Sequence, residues 1–255
     1  GISTRHNPEF TMLELYQAYA DYHDMMDITE ELMNGLVQAL HGKEEIPYGD
    51  RTLNFKRPWK RLRFYDALKE KTGVDFQSMS AREAAAKAGF NFGPGASDTD
   101  ILDEVFGAKV ESELIDPTFI LDYPAVMSPL AKAREDDPTL TYRFELFISG
   151  MELANAFSEL NDPHDQRRRF MEQKAAIGDH KEIDEDFLTA LEYAMPPAGG
   201  LGIGIDRLVM LLTNQPSIRD VVLFPQMRPE KNQGARPGVI GADADAVAEE
   251  DSREI

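Results

Sequence analysis

Gly199-Gly200-Leu201-Gly202-Ile203-Gly204-Ile205-Asp206-Arg207-Leu208 alternates glycine with large aliphatic residues before it enters the apolar helical run Asp206 to Thr213 (DRLVMLLT). Glycine inside a strand loses backbone entropy and packs nothing, so three alternate glycines weaken the strand that holds them. A chain accepts that weakness where another body must come close to its backbone. Arg207, at the head of the following helix, can lay its planar guanidinium on a base or reach a phosphate. The same residues also fit a tight strand-to-helix turn, with Asp206 as cap and Arg207 in a surface ion pair. The pattern is neither the GxGxxG of doubly wound folds nor a phosphate loop ending in Gly-Lys-Ser.

Working outward, Tyr142 to Ser149 (YRFELFIS) alternates and reads as a strand, and Met151 to Leu160 reads as its continuation or as a paired strand. At period two Glu145 shares a face with Phe147, and Asn155 shares one with Phe157 and Glu159. Acids on the covered face of a sheet are costly unless a cation or metal meets them, and each of these acids alone also fits an edge or solvent-facing position. Glu145 and Glu152 together suit Mg²⁺, which takes one or two carboxylates plus substrate phosphates. Near the start, Phe10 to Tyr16 (FTMLELY) reads as another strand, with Phe10, Met12, Glu14 and Tyr16 on one side. Glu14 beside Tyr16 suits a cationic ligand, the carboxylate giving charge and the hydroxyl a second acceptor. Phe10 fits either a core position or a stacking surface for a base.

The remaining chain supplies a scaffold. From about Asp21, residues Met25, Met26, Ile28, Leu32, Met33, Leu36, Val37 and Leu40 recur at helical spacing until Gly42. Leu53 to Trp59 reads as a short strand interrupted by Pro58. Phe64 to Lys71, Ser80 to Ala88 and Asp98 to Phe106 read as short helices, with Ser80 as N-cap and Glu83 at the capping-box position. Thr118 to Tyr123 reads as a buried strand, Asp165 to Ile177 and Asp184 to Ala194 as helices, and Val221 to Phe224 as a last strand. The chain divides into core at 1–65, a helical insertion at 66–112, core again at 113–229, and a disordered tail at 230–255. Strands and helices mix without βαβ alternation, which favours an α+β fold with an antiparallel sheet flanked by helices.

Bulk composition limits the partners. The 255 residues carry a net charge of −19, which repels a polyanion on average. The tail holds seven acids and three bases of that total, and basic clusters stand at Lys56 to Arg63 and Arg167 to Arg169. Charge runs of this kind are usually solvated faces. No cysteine is present, which excludes disulfides and thiolate metal sites and fits a cytoplasmic protein. No apolar run approaches the length of a membrane span, and no signal peptide is visible at Gly1 to His6.

The stretches HNPEFTMLELYQAYADY (from His6), ELNDP (from Glu159), GLGIGIDRLVMLLT (from Gly200) and IRDVVLFP (from Ile218) occur in order, and together they resemble the class II lysyl-tRNA synthetases. The resemblance covers about residues 1–229, the carboxyl-terminal part of the catalytic domain from motif 2 through motif 3. It implies an ATP-dependent ligase that makes lysyl-adenylate and passes the lysyl group to tRNA(Lys), as a homodimer in the full-length enzyme. It implies that His6 and Phe10 sit at ATP, with Phe10 under the adenine and Arg207 over its other face as the catalytic arginine. Glu145 and Glu152 would bind Mg²⁺. Glu14, Tyr16 and Glu159 would hold the ε-ammonium of lysine, Asn155 and Phe157 would line the pocket, and Gly202 would let substrate approach.

Some family features are not in this sequence. Motif 1, the first motif 2 strand with its Arg and Glu, and the anticodon-binding barrel would lie before Gly1. The chain is therefore expected to begin inside a domain and not to aminoacylate tRNA alone. The alternatives are a paralogue that ligates lysine to a protein such as elongation factor P, and a non-catalytic synthetase-like domain that senses an amino acid or mediates assembly.

Overall fold

The computed structural model describes residues 3–177 and 183–226. Among them the chain forms β1 (Met12–Ala18), α1 (Tyr22–His41), β2 (Glu45–Tyr48), β3 (Arg51–Asn54), β4 (Lys60–Arg63), α2 (Phe64–Thr72), α3 (Ala81–Lys87) and α4 (Asp98–Lys109). It continues through β5 (Thr118–Leu121), β6 (Arg143–Ile148), β7 (Met151–Ser158), α5 (Pro163–Ile177), α6 (Glu185–Glu192), β8 (Ala198–Gly204) and α7 (Ile205–Leu212). Six strands make one sheet in the order β1-β8-β7-β6-β5-β4, antiparallel except for the β4–β5 pair. A parallel pair needs a long crossover, and α2 to α4 provide it. The fold is α+β, a mostly antiparallel sheet flanked by helices.

Local chemistry sets the elements. Asp21 caps α1 by accepting from the His23 and Asp24 N–H groups, and Asp24 accepts the Asp21 N–H in return at 2.8 Å. The helix stops at Gly42, whose φ of 69° is left-handed and whose N–H donates to Gln38 O. Ser149 and Gly150 both have positive φ, 52° and 66°, the requirement of a two-residue turn that matches strand twist. Met151 therefore begins a strand paired with β6, not a continuation of it.

One face of the sheet carries Phe144, Leu146, Ala154, Ala156, Leu201 and Ile203 into a core with Met25, Met26, Met33 and Val37 of α1. A second core lies under α2 to α4, where Phe64 stacks on Phe106 at 4.9 Å and meets Tyr123, and Phe106 meets Phe147. The second core covers the β4–β6 end of the sheet's other face. Gly199 looks into the first core. A methyl group there would fall 2.9 Å from Asp21 O and 3.0 Å from Met25 Cε. Gly199→Ala is expected to cost about 1–3 kcal/mol of stability, read as a lower urea midpoint at unchanged m.

Four sequence expectations change. The first strand starts at Met12, so Phe10 lies in the preceding loop. Leu53 to Trp59 is not one strand: β2 and β3 form a hairpin across Gly49-Asp50, and β4 begins only at Lys60. Pro58 cannot donate to a ladder, and the bend buries Phe55 and Trp59, whose Nε1 donates to Phe55 O at 2.9 Å. Ser80 caps α3, but Glu83 turns to Lys87 at 2.9 Å instead of closing a box. Val221 to Phe224 forms no strand; Val221 and Val222 pack on the core margin while Leu223 and Phe224 are 91% and 88% exposed. The tail expected at 230–255 lies outside the described residues.

The arginines of both basic clusters are engaged by acids. Arg57 and Arg61 meet the buried Glu30, Arg63 meets the buried Asp122 at 2.8 Å, and Arg167 meets Glu185 at 2.5 Å. Arg168 pairs with Glu172, and Arg169 with Asp165 and three backbone carbonyls.

Candidate functional site

Register places the candidate residues in rows across the open face. Glu14 lies opposite Gly202, Gly202 opposite Asn155, and Asn155 opposite Glu145. The next row runs Tyr16, Gly200, Phe157 and Arg143. Directly opposed residues in antiparallel strands share a face, with strands about 4.8 Å apart. The glycines of β8 thus leave a trench with β1 side chains on one bank and β7 side chains on the other.

Glu159 overhangs this trench. It follows β7, its N–H donates to Ala198 O at 2.8 Å, and it bridges to Ala131. Its carboxylate fills the place a Gly200 side chain would take: a methyl group there would fall 1.8 Å from Glu159 Oε1 and 2.9 Å from Tyr16 Cε1. Burial pushes the Glu159 carboxyl up to about 7, because no cation among the described residues offsets its desolvation. The Tyr16 phenol is pushed up by burial, then by Glu159 and Glu14, so both acids act on one hydroxyl. Glu14 and Tyr16 are solvent-exposed on β1, whereas Asn155, Phe157 and Glu159 are half-buried.

Beyond Gly202 the trench opens into a cavity of about 270 Å³ lined by Arg5, His6, Phe10, Asn155, Gly204 and Arg207, among others. Arg207 donates to Glu152 O at 2.6 Å and lies 3.7 Å from the Glu152 carboxylate. It also reaches His6 Nε2 at 3.2 Å. Arginine has only donors, so Nε2 accepts, His6 is neutral, and its Nδ1–H points to Ser3 Oγ at 2.9 Å. Burial, then the Arg207 charge, lowers the His6 pKa in agreement. Asp206 does not cap α7; it accepts the Thr11 N–H at 2.6 Å and ties the loop before β1 to the helix. Phe10 is 60% exposed at the rim of the cavity.

Glu145 and Glu152 line a neighbouring cavity of about 680 Å³ with Asp103 of α4 and Glu111 just beyond it. Glu145 accepts from Arg143 Nη2 at 2.5 Å and from the Tyr123 hydroxyl at 2.7 Å. Burial raises its pKa; Arg143 opposes this and Glu152 reinforces it. Burial likewise raises Glu152, against Arg207 and Arg143. Among the described residues no three acids or histidines form a ready metal cage. Glu145 and Glu152 are the carboxylates here that could share a Mg²⁺, an ion that is bound through one or two carboxylates together with waters and substrate phosphates.

Register therefore brings Glu14, Tyr16, Gly202, Asn155, Phe157 and Glu159 to one trench, His6, Phe10 and Arg207 to the adjoining cavity, and Glu145 and Glu152 to its far side. Arg5, Tyr123 and Arg143 join them without having been singled out, and Asp206, read in the sequence as a helix cap, joins them as the tie to Thr11. Arg143 was visible in sequence, two residues before Glu145 on the same strand face. Arg5, which donates to Gly150 O at 2.5 Å, depends on a contact between distant segments.

Residues 1–228 match the family model described as tRNA synthetases class II (D, K and N). A lysine--tRNA ligase of Carboxydothermus hydrogenoformans is 59% identical over 237 residues, 90% of this chain and 49% of that protein. Proteins of the same name from Moorella thermoacetica and Dehalococcoides mccartyi are 58% and 51% identical, over 91% and 92% of the chain and 49% of each relative. The chain spans about half the length of these curated relatives.

Proposed function

The chain belongs to the class II tRNA synthetases (D, K and N), and on that premise we propose that it builds the site where lysine and ATP form lysyl-adenylate for transfer to tRNA(Lys). One observation carries the choice of lysine: the Glu159 carboxylate stands over Gly200, beside Tyr16 and along the trench from Glu14, with no resident cation among the described residues. An ammonium at the end of a side chain supplies the missing charge. Aspartate would be repelled there, and the neutral amide of asparagine would leave Glu159 uncompensated. Arginine fits less well, since its planar fork wants a broader bidentate site.

In this reading Glu14, Tyr16 and Glu159 hold the ε-ammonium, and Asn155 and Phe157 flank the rest of the amino acid. Gly202 lets the substrate lie against the backbone. The nucleotide enters the 270 Å³ cavity, with Phe10 and Arg207 on the two faces of the adenine and His6 beside Arg207. The lysine carboxylate attacks the α-phosphorus, pyrophosphate leaves, and the terminal ribose hydroxyl of tRNA then attacks the acyl carbon. The protein supplies alignment and positive charge and forms no covalent intermediate. Glu145 and Glu152 would hold Mg²⁺, which when bound neutralises charge on the phosphates. The reading brings with it a homodimer and a cytoplasmic setting; no described helix is long and apolar enough to cross a membrane.

The test is isotope exchange between pyrophosphate and ATP by the protein at full length. Exchange is expected with lysine and not with aspartate or asparagine. Exchange driven by aspartate or asparagine, or absent with lysine, would overturn the reading.

A further inference from the structure

The Arg143 side chain, 15% exposed, spans two parts of the site. Its Nε donates to Asn155 Oδ1 at 3.1 Å and its Nη2 to Glu145 Oε1 at 2.5 Å. Nη1 donates to Met127 O at 2.8 Å and to Ser128 Oγ at 2.9 Å, and the guanidinium lies 4.6 Å from the centre of the Tyr123 ring. The Tyr123 hydroxyl donates to the other Glu145 oxygen, so arginine, phenol and carboxylate lock one another. A guanidinium fixed at this many points cannot swing to follow a ligand.

This arrangement fixes the sense of the Asn155 amide. Arginine carries donors only, so the atom facing Nε must be the amide oxygen. The –NH₂ of Asn155 is then the part of the group left for the trench, and it can only donate. Turned the other way, the amide would put its own N–H against the arginine donors and its oxygen toward the ligand.

We propose that Arg143 is a positioning residue that sets the Asn155 amide for the amino acid and the Glu145 carboxylate for the phosphate side of the reaction with one side chain. The proposal rests on the lysine-activation reading. It explains why a cation that lines the Glu145 cavity also reaches Asn155 on the amino-acid side. The Asn155 –NH₂ presented this way meets an oxygen of the substrate, not an ammonium.

The test uses the full-length protein, with lysine affinity measured by calorimetry and exchange measured against Mg²⁺ concentration. Arg143→Lys keeps the charge but loses the fork. It is expected to weaken lysine binding by about 10- to 100-fold and to raise the Mg²⁺ needed for half-maximal exchange. In an Asn155→Ala background, Arg143→Lys should weaken lysine binding little further, because Arg143 acts through Asn155. Full additivity, or unchanged lysine affinity and Mg²⁺ dependence, would overturn the proposal. Asn155→Asp provides a second route if Arg143→Lys does not fold. It keeps an acceptor toward Arg143 but shows the ligand an oxygen, so lysine affinity should fall with little change in thermal unfolding; unchanged affinity would count against the proposal. A wild-type protein that exchanges with lysine while these variants behave otherwise separates failure here from failure of the activation reading.

Discussion

Glu159→Gln is expected to weaken lysine binding by about 2–5 kcal/mol, a loss of roughly thirtyfold to several thousandfold, without weakening the fold at neutral pH. Removing one member of a desolvated charge pair leaves the other uncompensated, here the ammonium of the ligand. The fold should respond in the opposite sense. The Glu159 carboxyl titrates near 7 in the folded protein, above its ordinary 4.5, so the folded state keeps a proton that the unfolded chain releases. Stability attributable to this group is therefore present below about pH 4.5, falls as pH rises, and levels off above about pH 7. Glutamine removes that loss, and Glu159→Gln should unfold at the same or a higher temperature than wild type at pH 7.5. Lysine affinity of the wild type should rise with pH through the neighbourhood of 7, as Glu159 ionises, and then level off. Calorimetry across pH 6 to 8 measures it. Affinity that is flat over that range, or intact in Glu159→Gln, would remove Glu159 from the ammonium site.

Gly200→Ala should damage the same site from the backbone side. The added methyl group claims the place of Glu159 Oε1, 1.8 Å away, and presses on the Tyr16 ring at 2.9 Å. Both neighbours are side-chain ends on the open face, so they can move and the fold survives. Their movement carries the carboxylate and the phenol off their common target. Lysine affinity should drop by at least about tenfold while the urea midpoint changes little, since a misplaced charge-assisted contact forfeits about 1.5–3 kcal/mol. The same substitution one residue earlier gives the opposite result. Gly199→Ala meets the backbone oxygen of Asp21 in the packed core and is read in stability. Equal stability losses for the two variants would mean that Gly200 serves strand packing and not ligand approach.

The two glycines show what could be read from sequence and what could not. Alternation in β8 announced that something comes close to the backbone, and period two in β6 and β7 sorted Glu145, Asn155 and Phe157 to faces before any coordinates. Length and periodicity located α1 between Asp21 and Gly42, because capping and the left-handed stop are local events. Sequence could not say which body approaches each glycine. That depends on register between β1 and β8, strands nearly two hundred residues apart. The same gap hid Arg5 and the Thr11–Asp206 tie. Val221 to Phe224 was misread for the related reason that apolar content alone does not supply a neighbouring strand to pair with. The hairpin at Gly49-Asp50 was legible in principle, a two-residue glycine turn between short extended runs, but Pro58 drew the boundary elsewhere.

The pairing of β1 with β8 also orders events during synthesis. Met12 to Ala18 leaves the ribosome well before Ala198 to Gly204, which follows it only after almost every other described element. Until then β1 lacks the strand that pairs with it, and the trench has one bank and no floor. Helices α2 to α4 and the β6–β7 hairpin can gather on local contacts in the meantime, whereas the ligand-binding face must await its last glycines. A nascent chain halted before Ala198 would then hold much of its helical content and none of its affinity for lysine.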